Sequence, residues 1–359
     1  MRMRAPQRSA TRRRFASRGS APAAALACFA LGGLLAAVLL GPALPEGAEP
    51  DARSEIKLEH LRREGARYDT LFVGSSRTFR GFSPQVFDAA TAAAGAPTCS
   101  FNLGVPGSRA TEIARLLERV AQIRPGGWRT IFVDPEGFEV LLDEENYLSR
   151  PVIDWHDLET TLLVCGYIRE SQGARAGVLR KLWMHWVSCA YHVAGVGRAL
   201  PWVDGLLGIE ADAERRAQTL GPLGDGYVPQ ERELKRGFRK ELEEYDGRVA
   251  ELGLAAPDGP TRAAPQAVRV FQGIERQIEA LGARPVFVAQ AGLYLNGDLV
   301  AAAESGALAT LLRFDQPEHF PDLYGVEARF DSNHLNALGA ERFTRHLAAA
   351  FLALGEGGP

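Results

Sequence analysis

From Tyr68 onward the apolar positions fall into short unbroken runs, separated by longer stretches with helical spacing. Tyr68 to Val73, Ser100-Phe101-Asn102-Leu103 and Arg129 to Val133 read as strands. Pro84 to Ala94 reads as a helix. After Ser108, a good N-cap, Ile113, Leu116, Leu117 and Val120 recur at helical spacing. Strand–helix–strand–helix–strand with short connections predicts a parallel sheet covered by helices. Between about 150 and 262 the rhythm gives way to long helical patterns. One runs from Ala176 to Leu207 and carries Trp183, Trp186, Tyr191 and Trp202. It reads as the core of a helical insertion, with a membrane-leaning lid or a glycan-stacking surface as the alternatives. Residues 229–252 read as a charged amphipathic helix, followed by the loop AAPDGPTRAAP. The alternation then returns with a helix over 264–281, a strand from Pro285 to Ala289 and a terminal helix from about Ala337 to Leu354. The pattern predicts one α/β domain over 68–352: a three-layer parallel sheet with helices on both faces and a helical insertion at about 150–262.

Upstream the pattern is different. Ala21 to Leu44 holds no charged side chain, and about 20 apolar residues in a helix span a bilayer. Residues 1–20 carry seven arginines and no acid, whereas Glu46, Glu49 and Asp51 come after the apolar run. That asymmetry predicts a signal-anchor over 21–44 with a basic cytoplasmic N-terminus over 1–20. A cleaved signal peptide is the alternative, and under either reading the residues after 45 are exported. Residues 45–67 then read as a linker and a short polar helix leading away from the membrane. The expected location is a bacterial-type inner membrane, single-pass, with the folded domain extracytoplasmic.

Charge and cysteines narrow the classes. The chain has 41 basic and 44 acidic side chains; without the seven N-terminal arginines, 34 face 44, a net charge of −10. So acidic a body predicts no nucleic-acid partner, because phosphate contacts need clustered Lys and Arg. The four cysteines show no CxxC spacing, and His185 and His192 share a helix face without further ligand types, so no metal or cofactor is expected. One Cys165–Cys189 disulfide and three buried free thiols remain equal alternatives for the exported cysteines.

Three segments carry residue types suited to acyl chemistry. The first, Gly74-Ser75-Ser76-Arg77, is a tight turn after a strand that can present a hydroxyl at the sheet edge. The second, Asn102-Leu103-Gly104-Val105-Pro106-Gly107-Ser108, is a glycine-rich loop whose backbone can approach a ligand closely. In the third, Asp331-Ser332-Asn333-His334, a carboxylate can orient one imidazole nitrogen and leave the other as a base. Alone, each reads equally well as an ordinary turn.

Taken together and in this order, the segments resemble the SGNH (GDSL-like) hydrolase family over roughly 68–135 and 283–352. The resemblance implies an SGNH/flavodoxin-like sheet, Ser76 as nucleophile, and Asp331 and His334 as its acid and base. It places the oxyanion hole at the N–H groups of Ser76 and Gly107, or Gly104. Asn102 and Arg77 are the expected substrate-binding side chains. Two departures stand out. The family's Asp before the serine is Ser75 here, and its Gly-x-Asn-Asp after the third strand is replaced by Asp134-Pro135-Glu136-Gly137. In both respects the chain is similar to anchored relatives that O-acetylate alginate or D-alanylate teichoic acids. The implied function is a membrane-anchored esterase or acyltransferase acting on an acylated glycan or small ester, working with a membrane-bound acyltransferase. A non-catalytic envelope protein that binds glycan or docks to such an acyltransferase is the competing class.

Overall fold

The computed structural model describes residues 52–137, 145–172, 177–196, 213–254 and 262–356, with the single positions 28, 32 and 35. Those three positions aside, the expected anchor over 21–44 lies outside the described residues, as do 1–20, 45–51 and Trp202. Among the described residues no helix is long and apolar enough to cross a membrane.

Five strands form one parallel sheet: β1 Thr70–Gly74, β2 Ser100–Gly104, β3 Thr130–Asp134, β4 Arg284–Ala289 and β5 Leu311–Arg313. Their order is β2-β1-β3-β4-β5. Every residue of β1, β2 and β3 is buried, as expected of a sheet covered on both faces. Chain direction reverses its march across the sheet between β1 and β3, and in open α/β sheets the crevice at such a switch point is where ligands bind. Gly74 stands level with both Gly104 and Asp134, so the first three strands end on one line. The short, half-buried β5 has no apolar run and was not expected from the sequence.

Alternate strand residues feed two cores. Leu71, Val73, Ile131, Val133 and Phe287 pack under α1 (Ala52–Glu64), α4 (Ala110–Ile123) and α10 (Pro265–Ala280). Phe72, Phe132, Val286 and Val288 pack under α3 (Pro84–Ala93) and the terminal helix α13 (Ala337–Phe351). On that second side the rings of Phe72, Phe87, Phe132 and Phe351 lie 5.2–5.5 Å apart in tilted and edge-on pairs. Such pairs contribute about 0.5–1.5 kcal/mol each beyond their burial.

Helix α1 is part of the domain, not a spacer. Leu58 and Leu61 enter the first core, and Lys57 is fully buried. The Lys57 ammonium donates to the carbonyls of Asn102, Gly104 and Gly226, each at 2.8 Å, and lies 4.4 Å from the Phe79 ring centre.

Between β3 and α10 the described residues are helical or irregular: α5 Arg150–Trp155, α6 Leu158–Gln172, α7 Val178–Val193, α8 Ala213–Leu220 and α9 Leu242–Leu254. Two expectations are corrected here. The amphipathic pattern over 229–252 becomes an α-helix only from Leu242, after a single 3-10 turn at Phe238–Lys240. The first half is drawn out along the 328–337 segment, where Lys235 N donates to Phe330 O, and Ala337 N to Gln230 O. Tertiary pairing overrides local pattern there. Trp183 and Trp186, expected in the core of the insertion, are 57% and 45% exposed. Cys165 and Cys189 are buried free thiols.

Replacing Lys57 by Met keeps the stem and leaves three buried carbonyls without their donor. Equilibrium denaturation is expected to show a loss of about 2–4 kcal/mol. A loss under about 1 kcal/mol would mean that water replaces the ammonium at little cost.

Candidate active site

Ser76 is the first residue of the short helix α2 (Ser76–Gly81), entered directly from β1. Ser75 caps it, its hydroxyl accepting from Arg77 N–H at 3.2 Å. The residue that stands where the resemblance has an Asp is therefore a helix cap, which Ser performs well. The Ser76 hydroxyl faces the sheet's C-terminal edge, and His334 comes to it from the loop before α13. Ser76 Oγ lies 2.8 Å from His334 Nε2, and His334 Nδ1 lies 2.9 Å from Asp331 Oδ1. Residues 258 positions apart thus meet in one hydrogen-bonded chain.

The Asp331 loop is held closely. Asp331 Oδ1 also accepts the backbone N–H groups of Asn333 and His334, at 3.0 and 2.9 Å. Burial opposes charge on this carboxyl, but the hydrogen bond and charge of His334 and the two N–H groups outweigh burial and lower it to about 2. Asp331 is therefore ionised at any physiological pH. With Asp331 accepting, Nδ1 of a neutral His334 carries the proton and Nε2 is left to accept from Ser76.

Behind the loop, Arg329 is fully buried and faces main-chain oxygen. Its guanidinium donates to the carbonyls of Asp331 (3.3 Å), Ser332 (2.8 Å), Ala291 (3.3 Å) and Leu323 (3.5 Å). Asn336 caps α13 and ties the same segment down. Its carbonyl oxygen accepts from Leu338 and Gly339 N–H, and its amide donates to Glu327 O and Arg329 O. Neither residue was singled out from sequence. Bonds to carbonyls leave no motif.

The two expected substrate-binding side chains are otherwise engaged, a correction to the sequence reading. Asn102 is fully buried. Its amide donates to Thr78 O and Phe82 O, at 2.7 and 2.8 Å, and its oxygen accepts Gly104 N–H at 2.8 Å. It locks β2 to the segment after Ser76. Arg77, 4% exposed, donates to Gln290 Oε1, Gln290 O and Tyr294 O, and its Nε lies 3.9 Å from Asp134 Oδ2. It locks α2 to the end of β4. The glycines differ too. Gly104 presses against α2, where an added Cβ would stand 2.4 Å from Phe79 N, and its N–H is spent on Asn102. Gly107, in the turn beyond, takes φ of +88°, a conformation that favours glycine.

At the third strand end, Asp134 is buried level with Gly74, and its Oδ2 has no hydrogen-bond partner. Glu136, two residues on, lies 3.7 Å from Arg109. Among the described residues no cluster of three or more His, Cys, Asp or Glu could hold a metal ion.

Burial pushes the Asp134 carboxyl up to about 6, against the pull of Arg77. A carboxyl raised on folding binds its proton more tightly in the folded chain, so stability falls as pH rises from about 4 through about 6. Asp134→Asn keeps the shape without the charge. Thermal unfolding across this range is expected to show little difference at about pH 4, and a variant more stable by up to about 2 kcal/mol above pH 7. A variant less stable than the native chain above pH 7 would mean that the Arg77 pair outweighs burial.

Neither the protein-family models nor the curated proteins compared with the chain match it.

Proposed function

We propose that the chain is a serine esterase or O-acyltransferase of SGNH type. In this reading residues 21–44 hold it at the outer face of a bacterial-type inner membrane, and it acts on acylated envelope polysaccharide or related esters. The observation that carries the reading is the unbroken chain from Ser76 Oγ through His334 to Asp331, with contacts of 2.8 and 2.9 Å. A serine hydroxyl is a weak nucleophile until an adjacent base takes its proton.

The steps follow from the atoms. Ser76 Oγ attacks the ester carbonyl carbon as His334 Nε2 takes the hydroxyl proton, and Asp331 stabilises the imidazolium. The N–H groups of Ser76 and Gly107 take the oxyanion; that of Gly104 is already engaged. The tetrahedral intermediate collapses, His334 returns the proton to the leaving alcohol, and Ser76 keeps the acyl group. Water or an acceptor hydroxyl, deprotonated by His334, then releases it and restores Ser76.

One observation favours the second reading, a glycan-binding or acyltransferase-docking protein without chemistry of its own. The third loop offers the carboxylates Asp134 and Glu136 where the family has an Asn donor, and losing one oxyanion donor costs about 100- to 1000-fold in rate. A fluorophosphonate probe and an aryl acetate separate the two. The native chain is expected to be labelled at Ser76 and to hydrolyse the acetate. Ser76→Ala is expected to lose the label and at least about 1000-fold in rate, with unchanged thermal stability. A native chain that neither takes the label nor turns over the acetate leaves the second reading.

A further inference from the structure

The helix α7 buries Val178, Met184 and Cys189 and exposes a second apolar stripe to water. Leu179, Trp183, Trp186 and Val193 are 84%, 57%, 45% and 48% exposed, and their spacing puts them on one stripe. Tyr191 and Val196 beside it are exposed as well. Among the exposed positions from 177 to 196, Arg180 is the one charged side chain, and none is acidic.

The helix cannot roll to hide this stripe, because its opposite side is fixed by polar contacts. His185 Nδ1 meets His156 Nε2 at 2.9 Å, Ser188 Oγ donates to Tyr147 O at 2.6 Å, and His192 Nδ1 lies 2.9 Å from Ile153 O. Both His156 and His185 are buried, and burial lowers them to about 4 and about 3, so the pair is neutral. Turning Trp183 and Trp186 inward would break all three contacts and strand those groups.

The start of α1 also lies beside the segment on which the inner side of α7 packs. A cavity of about 400 Å³ is lined by Ser54, at the start of α1, and by Asn146, Pro151 and Trp155 of the segment on which α7 packs. Seven residues, 45–51, separate the apolar run from α1. Fully extended they reach at most about 25 Å. A chain so tethered holds the start of α1 close to the bilayer, and with it the 146–155 segment that carries α7.

We propose that the outer face of α7 is a membrane-docking surface, with Trp183 and Trp186 seated among lipid headgroups and Leu179 and Val193 against the acyl-chain boundary. Tryptophan is enriched at that depth because its ring is apolar and its N–H polar. A helix with an apolar stripe and no exposed acid suits the interface plane. This docking would lay the domain on the membrane beside its anchor. It rests on the anchoring over 21–44, not on the chemistry of Ser76.

Quenching by brominated lipid tests it. The full chain, with Trp202→Phe to remove the tryptophan outside the described residues, is reconstituted into phosphatidylcholine–phosphatidylglycerol vesicles with brominated acyl chains. Trp128 and Trp155 are buried, so Trp183 and Trp186 should carry the quenching. Adding Trp183→Gln and Trp186→Gln is expected to cut it by at least about half, since interfacial rings lie within reach of the acyl chains. Both chains should still float with the vesicles and melt at the same temperature. Flotation lost in both overturns the anchor. Flotation kept without quenching, or quenching unchanged by the substitutions, overturns the docking face. A tryptophan-dependent rise in oligomeric size without quenching assigns the face to a second copy instead.

Discussion

Three buried cations answered almost wholly by main-chain carbonyls hold this site together. An ionised group taken out of water is tolerated only when its hydrogen bonds are made inside. Lys57 draws Asn102 O, Gly104 O and Gly226 O to one point, which fixes the end of β2. Arg77 binds Gln290 O and Tyr294 O, joining the helix that carries Ser76 to the end of β4. Arg329 gathers Asp331 O and Ser332 O to Ala291 O and Leu323 O, joining the His334 loop to the same strand end. No strand-end loop can move away without exposing a carbonyl and stranding a charge. The 2.8 Å contact between Ser76 and His334 is thus built on clamps that touch neither reacting atom.

The sheet was legible because its strands are buried on both faces and so appear as unbroken apolar runs. β1 (TLFVG) and β3 (TIFVD) are of that kind. β5 was not, being three half-buried residues whose place comes from pairing with β4. Among the site residues, Ser76, Asp331 and His334 could be read because their types and order match the motifs of the family the chain resembles, and the structure joins them by hydrogen bonds. Asn102 and Arg77 stood in the same segments and invited the same reading. The carbonyls they donate to lie 20 to 217 positions away, and nothing local distinguishes a side chain reaching for a ligand from one reaching for a carbonyl. Lys57 and Arg329 were invisible for the same reason, whereas Asn336 carries a local signal, an Asn just before a helix.

The insertion shows a different limit. Periodicity identifies a helix and its apolar side, and the ordinary inference is that the apolar side faces the core. α7 departs from it by being apolar on both sides: Val178, Met184 and Cys189 are buried beside His185 and Ser188, whose hydrogen bonds have specific partners, while its tryptophans stay outside. Polar contacts decide the roll, and the apolar residues take the orientation left to them.

The electrostatics around Ser76 follow one rule. Each carboxylate at the strand ends has a cation near it: Asp134 faces Arg77, Glu136 faces Arg109, and Asp331, hydrogen-bonded to His334 through one oxygen, has Lys235 3.8 Å from the other. Without that compensation, acids on two loops would set a negative potential where the proposed reaction needs an oxyanion. With it, carboxylates in place of the Asn of the family the chain resembles would remove a donor but leave little net charge to repel the proposed intermediate. The pairs are not equal. Lys235 is 61% exposed, so water screens it and its hold on Asp331 is weak. Arg77 and Asp134 are each 3% exposed in their side chains and interact with little screening, yet burial still keeps the Asp134 carboxyl near 6. Near neutral pH this buried carboxyl therefore stands close to the point where it gains its charge.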